Sequence, residues 1–156
     1  MSHEQHMREA IRLAEDGMRH GHGGPFGCVV VRRGEIVGRG NNRVTSTNDP
    51  TAHAEITAIR DACAQLGTFQ LTDCELYTSC EPCPMCLSAI YWARIPEIYF
   101  ANTRQDAAEI GFDDDFIYRQ IPLPLEERAI KIRPLLRDEA LATFKGWAAK
   151  ADRIRY

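Results

Sequence analysis

The chain has 156 residues, 44% of them hydrophobic and 26% charged, which is typical of a folded globular protein and excludes a disordered or fibrous one. This length predicts a single domain, residues 1–156, able to bury a core without disulfide bonds. The formal net charge of −3 argues against binding nucleic acid through bulk positive charge, and no apolar run reaches the roughly 18 residues of a membrane span.

The N-terminal part of the chain predicts a helix and two strands. Apolar residues at helical spacing indicate an amphipathic helix near residues 5–19, which is too polar for a secretory signal. After a glycine-rich loop, residues 28–40 predict two strands joined by a tight turn at Arg33 and Gly34. Residues 41–50 are rich in turn formers and are expected to form a loop.

A second helix is expected from about Pro50 to Leu66. Asp49 suits the N-cap, and Pro50 suits the first helical position, where its missing N–H removes no hydrogen bond. Apolar residues at helical spacing should mark the buried face of this helix: Ile56, Ile59, Cys63 and Leu66.

The C-terminal part predicts further strands and helices. Residues 74–79 and 97–101 have strand composition, and between them Pro84 opens a helix that Pro96 ends. Residues 102–129 indicate loop and short helix. A possible short strand and a final helix follow, at residues 130–136 and 138–151, the helix with Leu141, Phe144 and Ala148 on one face. This order predicts an α/β fold, one sheet covered by helices.

Two motifs carry metal-binding chemistry. His53 and Glu55 are two residues apart, and Pro82 precedes a pair of cysteines, Cys83 and Cys86, at the start of a predicted helix. Zinc binds thiolate sulfur and imidazole nitrogen in a tetrahedron, and three protein ligands with an open fourth position indicate a catalytic site. We therefore expect His53, Cys83 and Cys86 to hold one Zn²⁺ per chain.

Glu55 is expected to be a proton carrier and not a ligand. Bound zinc lowers the pKa of its water to about 7, so hydroxide is available at neutral pH. A carboxylate beside that water can take its proton and pass it to a nitrogen of the substrate. The H-x-E and P-C-x-x-C pair is the signature of zinc deaminases, in which hydroxide attacks an amidine-like carbon and ammonia leaves.

Other interpretations of these motifs are weaker. H-x-E occurs by chance in many proteins, and C-x-x-C alone suits a structural zinc half-site or a redox pair. Cys80, Cys83 and Cys86 together resemble an iron–sulfur run, but no fourth cysteine follows to the end of the chain. Without a secretion signal, the remaining cysteines, Cys28, Cys63 and Cys74, are expected to be buried thiols in a cytoplasmic protein.

These motifs and four longer stretches resemble the cytidine-deaminase-like zinc enzymes, and within them the bacterial guanine deaminases. The stretches are GGPFG (23–27), NDPTAHAEITAIR (48–60), LYTSCEPCPMCLSAIYWAR (76–94) and GFDDDFIY (111–118), and the chain ends in Tyr156 as that family does. The resemblance implies a three-layer cytidine-deaminase-like fold with a central mixed sheet of about five strands. It also implies hydrolysis of guanine to xanthine and ammonia, in purine catabolism or salvage.

The resemblance also implies the substrate contacts. A second acid, mapped to Asp114, would hold the N1–H and amino group of guanine, although a solvated loop is the plain alternative and Asp113 or Asp115 fit the triple-aspartate run as well. Four more positions carry over: Asn42 to read the base edge, Phe26 to stack on the purine, the Ala54 N–H to donate to the base, and Tyr156 to cap the pocket. Without the resemblance, Asn42 is a turn residue, Phe26 a core residue and Tyr156 a surface residue.

The resemblance further implies a homodimer with exchanged C-terminal segments. Three rival functions use the same metal residues: a tRNA adenosine deaminase, a deaminase of another small heterocycle such as cytosine or an aminotriazine, and a non-catalytic zinc module. The acidic balance argues against the first, so nucleic acid is not an expected partner. Glu55 argues against the third, because a structural zinc needs no acid beside it.

Overall fold

The computed structural model describes all residues, 1–156, and the chain divides into two compact units, residues 1–114 and 115–156. The single domain expected for residues 1–156 stays a prediction. None of the helices combines the length and the apolar character that crossing a membrane requires.

The first unit contains one sheet and five helices. Its elements are α1 (His3–Arg19), β1 (Gly27–Arg32), β2 (Glu35–Asn41), α2 (Val44–Thr47), α3 (Ala54–Leu66), β3 (Cys74–Cys80), α4 (Pro84–Trp92), β4 (Glu97–Asn102) and α5 (Arg104–Glu109). The strands lie in the order β2-β1-β3-β4, antiparallel except for the parallel pair of β3 and β4. The predicted mixed sheet is confirmed, with four strands and not about five.

The sheet is covered on both faces, as the three-layer prediction requires. Val29 and Tyr77 pack with side chains of α1 on one face, while Cys28, Val30 and Leu76 pack with α3 and α4 on the other. Successive residues of a strand point to opposite faces, so even-numbered residues of β3 face α3. That alternation decides which β3 side chains can reach the metal motifs.

The β1–β2 connection is the tight turn expected from the sequence. Arg33 and Gly34 both have positive φ, 53° and 80°, which is the backbone that two-residue hairpins need and that glycine adopts without strain. The loop expected over residues 41–50 contains one helical turn, α2, which ends where Asn48 adopts the left-handed conformation.

Helix α3 begins at Ala54 and not at Pro50, so the predicted start was wrong. Asp49 does not cap the helix, because its Oδ1 accepts hydrogen bonds from the Thr51 N–H at 2.8 Å and the Thr51 hydroxyl at 2.6 Å. These bonds close a local turn that keeps residues 50–53 out of the helix. His53 takes the N-cap position in extended backbone, which places its side chain at the end of the helix.

The buried face of α3 also differs from the prediction. Its buried residues are Ala54, Glu55, Ala58 and Ala62, whereas the larger apolar side chains Ile56, Ile59, Cys63 and Leu66 are only partly buried. The reason lies in β2, where Gly38 and Gly40 let the helix backbone approach the strand. A Cβ at Gly40 would lie 2.4 Å from the Ala54 carbonyl oxygen. Small residues on both elements set this close spacing.

We expect Gly40→Ala to destabilise the protein by about 2 kcal/mol or more, because the added methyl meets helix backbone that cannot move aside. The free energy of unfolding in urea measures the effect. Gly146→Ala is the matched control, since a Cβ there meets nothing within 4 Å and alanine favours a helix. Equal stability of the two variants would contradict the close-packing account.

The second unit contains α6 (Asp115–Gln120), a 3₁₀ turn (Leu125–Glu127) and α7 (Arg137–Ala149). Residues 130–136, predicted as a possible strand, form no strand, which accounts for the count of four. Leu141 is partly buried, but Phe144 is 74% exposed, so the predicted apolar face of α7 is left open in the single chain.

Candidate active site

Three side chains from two helix starts converge at the carboxyl end of β3. His53 is the N-cap of α3 and Cys83 is the N-cap of α4, while Cys86 lies in the first turn of α4. His53 Nδ1 lies 3.5 Å from Cys83 Sγ and 3.5 Å from Cys86 Sγ, and the three ligand atoms all lie within 4.8 Å of one another. The fold therefore brings together the three predicted ligands, which lie up to 33 residues apart in the sequence.

The spacing of these atoms fits zinc. For Zn–S and Zn–N bonds of about 2.3 and 2.0 Å, tetrahedral angles put nitrogen and sulfur about 3.5 Å apart. Both His53–cysteine distances have that value. Two thiolate sulfurs and one imidazole nitrogen are also the donors that zinc prefers. These three residues, named below the His53–Cys83–Cys86 group, would supply three of the four ligands that zinc usually takes.

The thiols of this group have strongly shifted pKa values. A hydrogen bond from Cys86 and another with His53 lower the pKa of Cys83 to about 4, whereas the hydrogen bond to Cys83, together with burial, raises the pKa of Cys86. The hydrogen bond with Cys83 raises the pKa of His53. One thiolate thus forms readily at neutral pH, and the positive charge of a metal ion favours the second.

Glu55 is buried beside the metal group. The residue is only 6% exposed, and its Oε2 accepts from the Cys86 thiol at 3.3 Å. Burial raises the pKa of Glu55, because the charged form loses its hydration. A carboxyl group that gains a proton easily, next to an open metal position, suits the predicted role of proton carrier.

Thr78 is a site residue that the sequence prediction missed. Its hydroxyl lies 3.2 Å from Glu55 Oε1 and 3.0 Å from the Cys80 carbonyl oxygen, and the residue is 1% exposed. The signal was available in the strand alternation, because Thr78 is in phase with Leu76, which faces α3. A hydroxyl at a core-facing strand position needs a partner, and Glu55 is one.

Asn42 is buried, and its amide oxygen is already used by the protein. Asn42 Oδ1 accepts hydrogen bonds from the Gly24 N–H at 3.3 Å and the Val44 N–H at 3.1 Å. A Cβ at Gly23 would lie 2.2 Å from the same oxygen, so glycine is needed for this approach. The turn role and the predicted base-reading role are compatible, since the Asn42 Nδ2 donor is the group left to face a ligand.

Phe26 has an aromatic partner that the sequence prediction missed. The rings of Phe26 and Phe112 lie 4.9 Å apart in an edge-to-face arrangement, and Phe26 also packs against the core on the α3 side. Gly24 lies against both rings. Phe26 is therefore a core-packing residue, and its stacking on a purine stays a prediction.

Asp114 is the least exposed of the three consecutive aspartates. Its side chain is 18% exposed, against 53% for Asp115, and Asp113 is exposed as well. Burial raises the pKa of Asp114, which is opposed by the positive charge of Arg104 3.5 Å away. The negative charge of Cys83 also raises the pKa of Asp114, so this carboxyl group lies within electrostatic reach of the metal group. These observations favour Asp114 over Asp113 and Asp115 as the second acid, which stays a prediction.

Ala54 and Tyr156 are the two remaining predicted substrate contacts. Ala54 is the first residue of α3, so its N–H has no acceptor within the helix and can donate to a ligand. Tyr156 belongs to the second unit, and its role as a cap stays a prediction. Cys80 is not a member of the metal group, and burial raises its pKa to about 11, which suits a packed thiol.

The chain is similar to known deaminases. A family model of the cytidine and deoxycytidylate deaminase zinc-binding region matches residues 1–102. Guanine deaminase of Bacillus subtilis is 53% identical over 156 residues, which is 100% of both chains. A crystal structure of guanine deaminase from that organism has a TM-score of 0.97 and covers 100% of this chain and 99% of that one.

Two further relatives differ in how much of the chain they share. Guanine deaminase from Nitrosomonas europaea is 34% identical, with a TM-score of 0.70, over 96% of this chain and 86% of that chain. The tRNA-specific adenosine deaminase of Aquifex aeolicus is 41% identical over 101 residues, which is 65% of this chain and 66% of that protein. The likeness to the tRNA enzyme thus leaves about a third of the chain unmatched.

Proposed function

The chain belongs to the cytidine and deoxycytidylate deaminase family of zinc-binding proteins, and from that premise we propose that it hydrolyses guanine to xanthine and ammonia. The observation that carries the reaction type is the His53–Cys83–Cys86 group with the buried acid Glu55 beside it. The observation that carries the substrate is the full-length likeness to guanine deaminase of Bacillus subtilis, 53% identical over all 156 residues.

The residues of the site divide the chemistry between them. His53, Cys83 and Cys86 would hold a zinc ion, which would lower the pKa of a water molecule and so supply a nucleophile at neutral pH. Glu55 takes a proton at Oε2, the oxygen that faces the metal group, and delivers it to N3 of guanine, next to the reacting C2. Because Glu55 is buried, bulk water is kept away while the carboxyl group takes up this proton and while it delivers it.

Substrate recognition is assigned to groups around this centre. The Asn42 Nδ2 donor and the Ala54 N–H can each meet an acceptor on the purine edge. The Asp114 carboxylate is the matched acceptor for the adjacent N1–H and amino donors of guanine. Adenine offers no N–H donor at ring position 1, so Asp114 favours guanine over adenine.

Asp114→Asn is expected to lower kcat/KM for guanine by about 10²-fold, because an amide nitrogen then faces N–H donors and the charged hydrogen bonds are lost. Asp113→Asn and Asp115→Asn are the matched controls, since both side chains are exposed, and each should stay within about twofold of the parent protein. Steady-state kinetics with guanine measures all three. A larger loss in either control would move the second acid to that position.

A panel of substrates tests the proposed function. Purified protein loaded with zinc is incubated with guanine, adenine, cytosine, guanosine, an aminotriazine and a tRNA anticodon stem-loop, and ammonia release is measured. We expect turnover of guanine to xanthine, with the other compounds far slower. If another compound is turned over and guanine is not, the proposed substrate is wrong and the deaminase chemistry stands. Turnover of none would favour a non-catalytic zinc module.

We also propose a homodimer with exchanged C-terminal segments. The second unit supports it, because it leaves large apolar side chains open in the single chain, among them Phe116, Ile117, Phe144 and Trp147. Light scattering of the full chain, and of a chain ending at residue 114, would measure the mass of each.

We place the protein in the cytoplasm, which its six free cysteines and thiolate metal ligands favour.

A further inference from the structure

We propose that Thr78 is a positioning residue for Glu55, whose hydroxyl holds carboxyl oxygen Oε1 so that Oε2 stays turned toward the metal group. The inference rests on the proposed function, because Glu55 is the proton carrier of that reaction. Thr78 lies in the stretch 76–94 that resembles the family, but no role follows from that resemblance, and it is the hydrogen bond to Glu55 that brings the residue to the site.

The two oxygens of Glu55 have different partners. Oε1 accepts from the Thr78 hydroxyl at 3.2 Å, and Oε2 lies 3.3 Å from Cys86 Sγ, one of the sulfurs of the metal group. The terminal torsion of a glutamate has no sharp minimum of its own, so neighbouring groups decide how the carboxyl plane is turned. A hydrogen bond to one oxygen fixes the plane and therefore also the direction of the other oxygen.

Thr78 is itself held rigidly. It lies in the middle of the sheet, paired with Cys28 of β1 on one side and Phe100 of β4 on the other. Its branched side chain is stiff at χ1, and it is 1% exposed, so water does not compete for its hydroxyl. A rigid donor in a dry site can orient its partner more strictly than a mobile surface group can.

The Thr78 hydroxyl has a second acceptor within reach. Thr78 has one hydrogen to donate, and it lies within reach of both Glu55 Oε1 and the Cys80 carbonyl oxygen, at 3.2 and 3.0 Å. Glu55 and the Cys80 carbonyl are therefore alternative acceptors of the same hydrogen, and the two possible roles of Thr78 have to be separated by experiment.

A purely structural role makes a different prediction. If Thr78 only satisfied the Cys80 carbonyl, its loss would lower the melting temperature without changing kcat. Thr78→Val removes the hydroxyl and keeps the shape, whereas Thr78→Ser keeps the hydroxyl and removes a methyl group. Thr78→Ala is a second hydroxyl-free variant, in case valine prevents folding.

The experiment measures kcat, KM, zinc content and melting temperature for these variants. We expect Thr78→Val and Thr78→Ala to lower kcat by about tenfold, the effect of one hydrogen bond to a charged group, with KM and zinc content unchanged. Thr78→Ser should recover kcat to within about threefold of the parent. In a Glu55→Gln background, Thr78→Val should lower kcat no further, because the residue acts only through Glu55.

Crystal structures of the variants give a readout that does not depend on activity. We expect Glu55 to turn in Thr78→Val and to keep its orientation in Thr78→Ser. Unchanged kcat in Thr78→Val, equal losses in Thr78→Val and Thr78→Ser, or an unmoved Glu55 would each overturn the proposal. If the parent protein does not act on guanine, the proposed substrate fails separately, and Thr78 is judged from the structures and from the base that is turned over.

Discussion

Glu55→Gln is expected to lower kcat for guanine by about 10³-fold, the usual contribution of a well-placed acid–base group. Glutamine keeps the length and shape of the side chain and can still meet Thr78, but it cannot take up and release a proton at neutral pH. Because Glu55 is not one of the metal ligands, the variant should bind one zinc per chain. Steady-state kinetics and metal analysis of the purified protein measure the two quantities.

The same substitution at Glu97 is the control for this prediction. Glu97 is exposed at the start of β4, where its carboxyl group accepts from the Tyr99 hydroxyl at 2.7 Å. Glu97→Gln should keep kcat within about twofold, as expected of a surface change. Normal turnover by Glu55→Gln would show that Glu55 carries no proton. Loss of zinc from Glu55→Gln would instead make Glu55 part of the metal-binding machinery.

Cys86→Ser is expected to lower zinc affinity by about 10²-fold or more and to remove activity in proportion. The free energy of zinc binding at four-ligand sites is about 10–16 kcal/mol, so one ligand contributes about 3 kcal/mol. A serine hydroxyl stays protonated at neutral pH and is a poor zinc ligand, unlike a thiolate. The thiol of Cys86 is fully buried, so no exposed group can replace it.

Competition with a chromogenic chelator measures the zinc affinity, and the ammonia assay measures the activity. Cys63→Ser is the control, because Cys63 is a half-buried thiol on α3 that is not part of the metal group. That variant should bind zinc as the parent does. A Cys86→Ser protein that retained zinc and turnover would remove Cys86 from the ligand set.

The start of α4 shows what local sequence can predict. Pro84 follows Cys83, and proline suits the first helical position, where its fixed φ and missing N–H cause no loss. The helix start then places Cys83 and Cys86 in the same turn, so a short stretch of sequence is enough to predict that they bind one ion together. The β1–β2 turn was equally predictable, because a glycine after Arg33, between two strand patterns, favours a two-residue hairpin turn with positive φ.

The start of α3 shows where local sequence is insufficient. Asp49 and Pro50 have the composition of a helix start, yet Asp49 is engaged by Thr51, and the helix begins four residues later at Ala54. An aspartate side chain can hydrogen-bond either as a helix cap or within a local turn, and the residue pattern does not decide between the two. The ligand His53 owes its N-cap position to that outcome.

The sequence by itself determined the chemistry of the metal centre, because residue types and short spacings decide which atoms can bind zinc and which acid lies beside them. His53, Glu55, Cys83 and Cys86 could all be identified in this way, and the aspartate run could be identified by resemblance. Only the tertiary structure decided what lies around them. The packing of α3 on the sheet brings Thr78 to Glu55, loop closure brings Gly24 to Asn42, and the close approach of glycines and alanines sets the distance between β2 and α3. These contacts join residues far apart in the chain, and packing, not spacing, selects them.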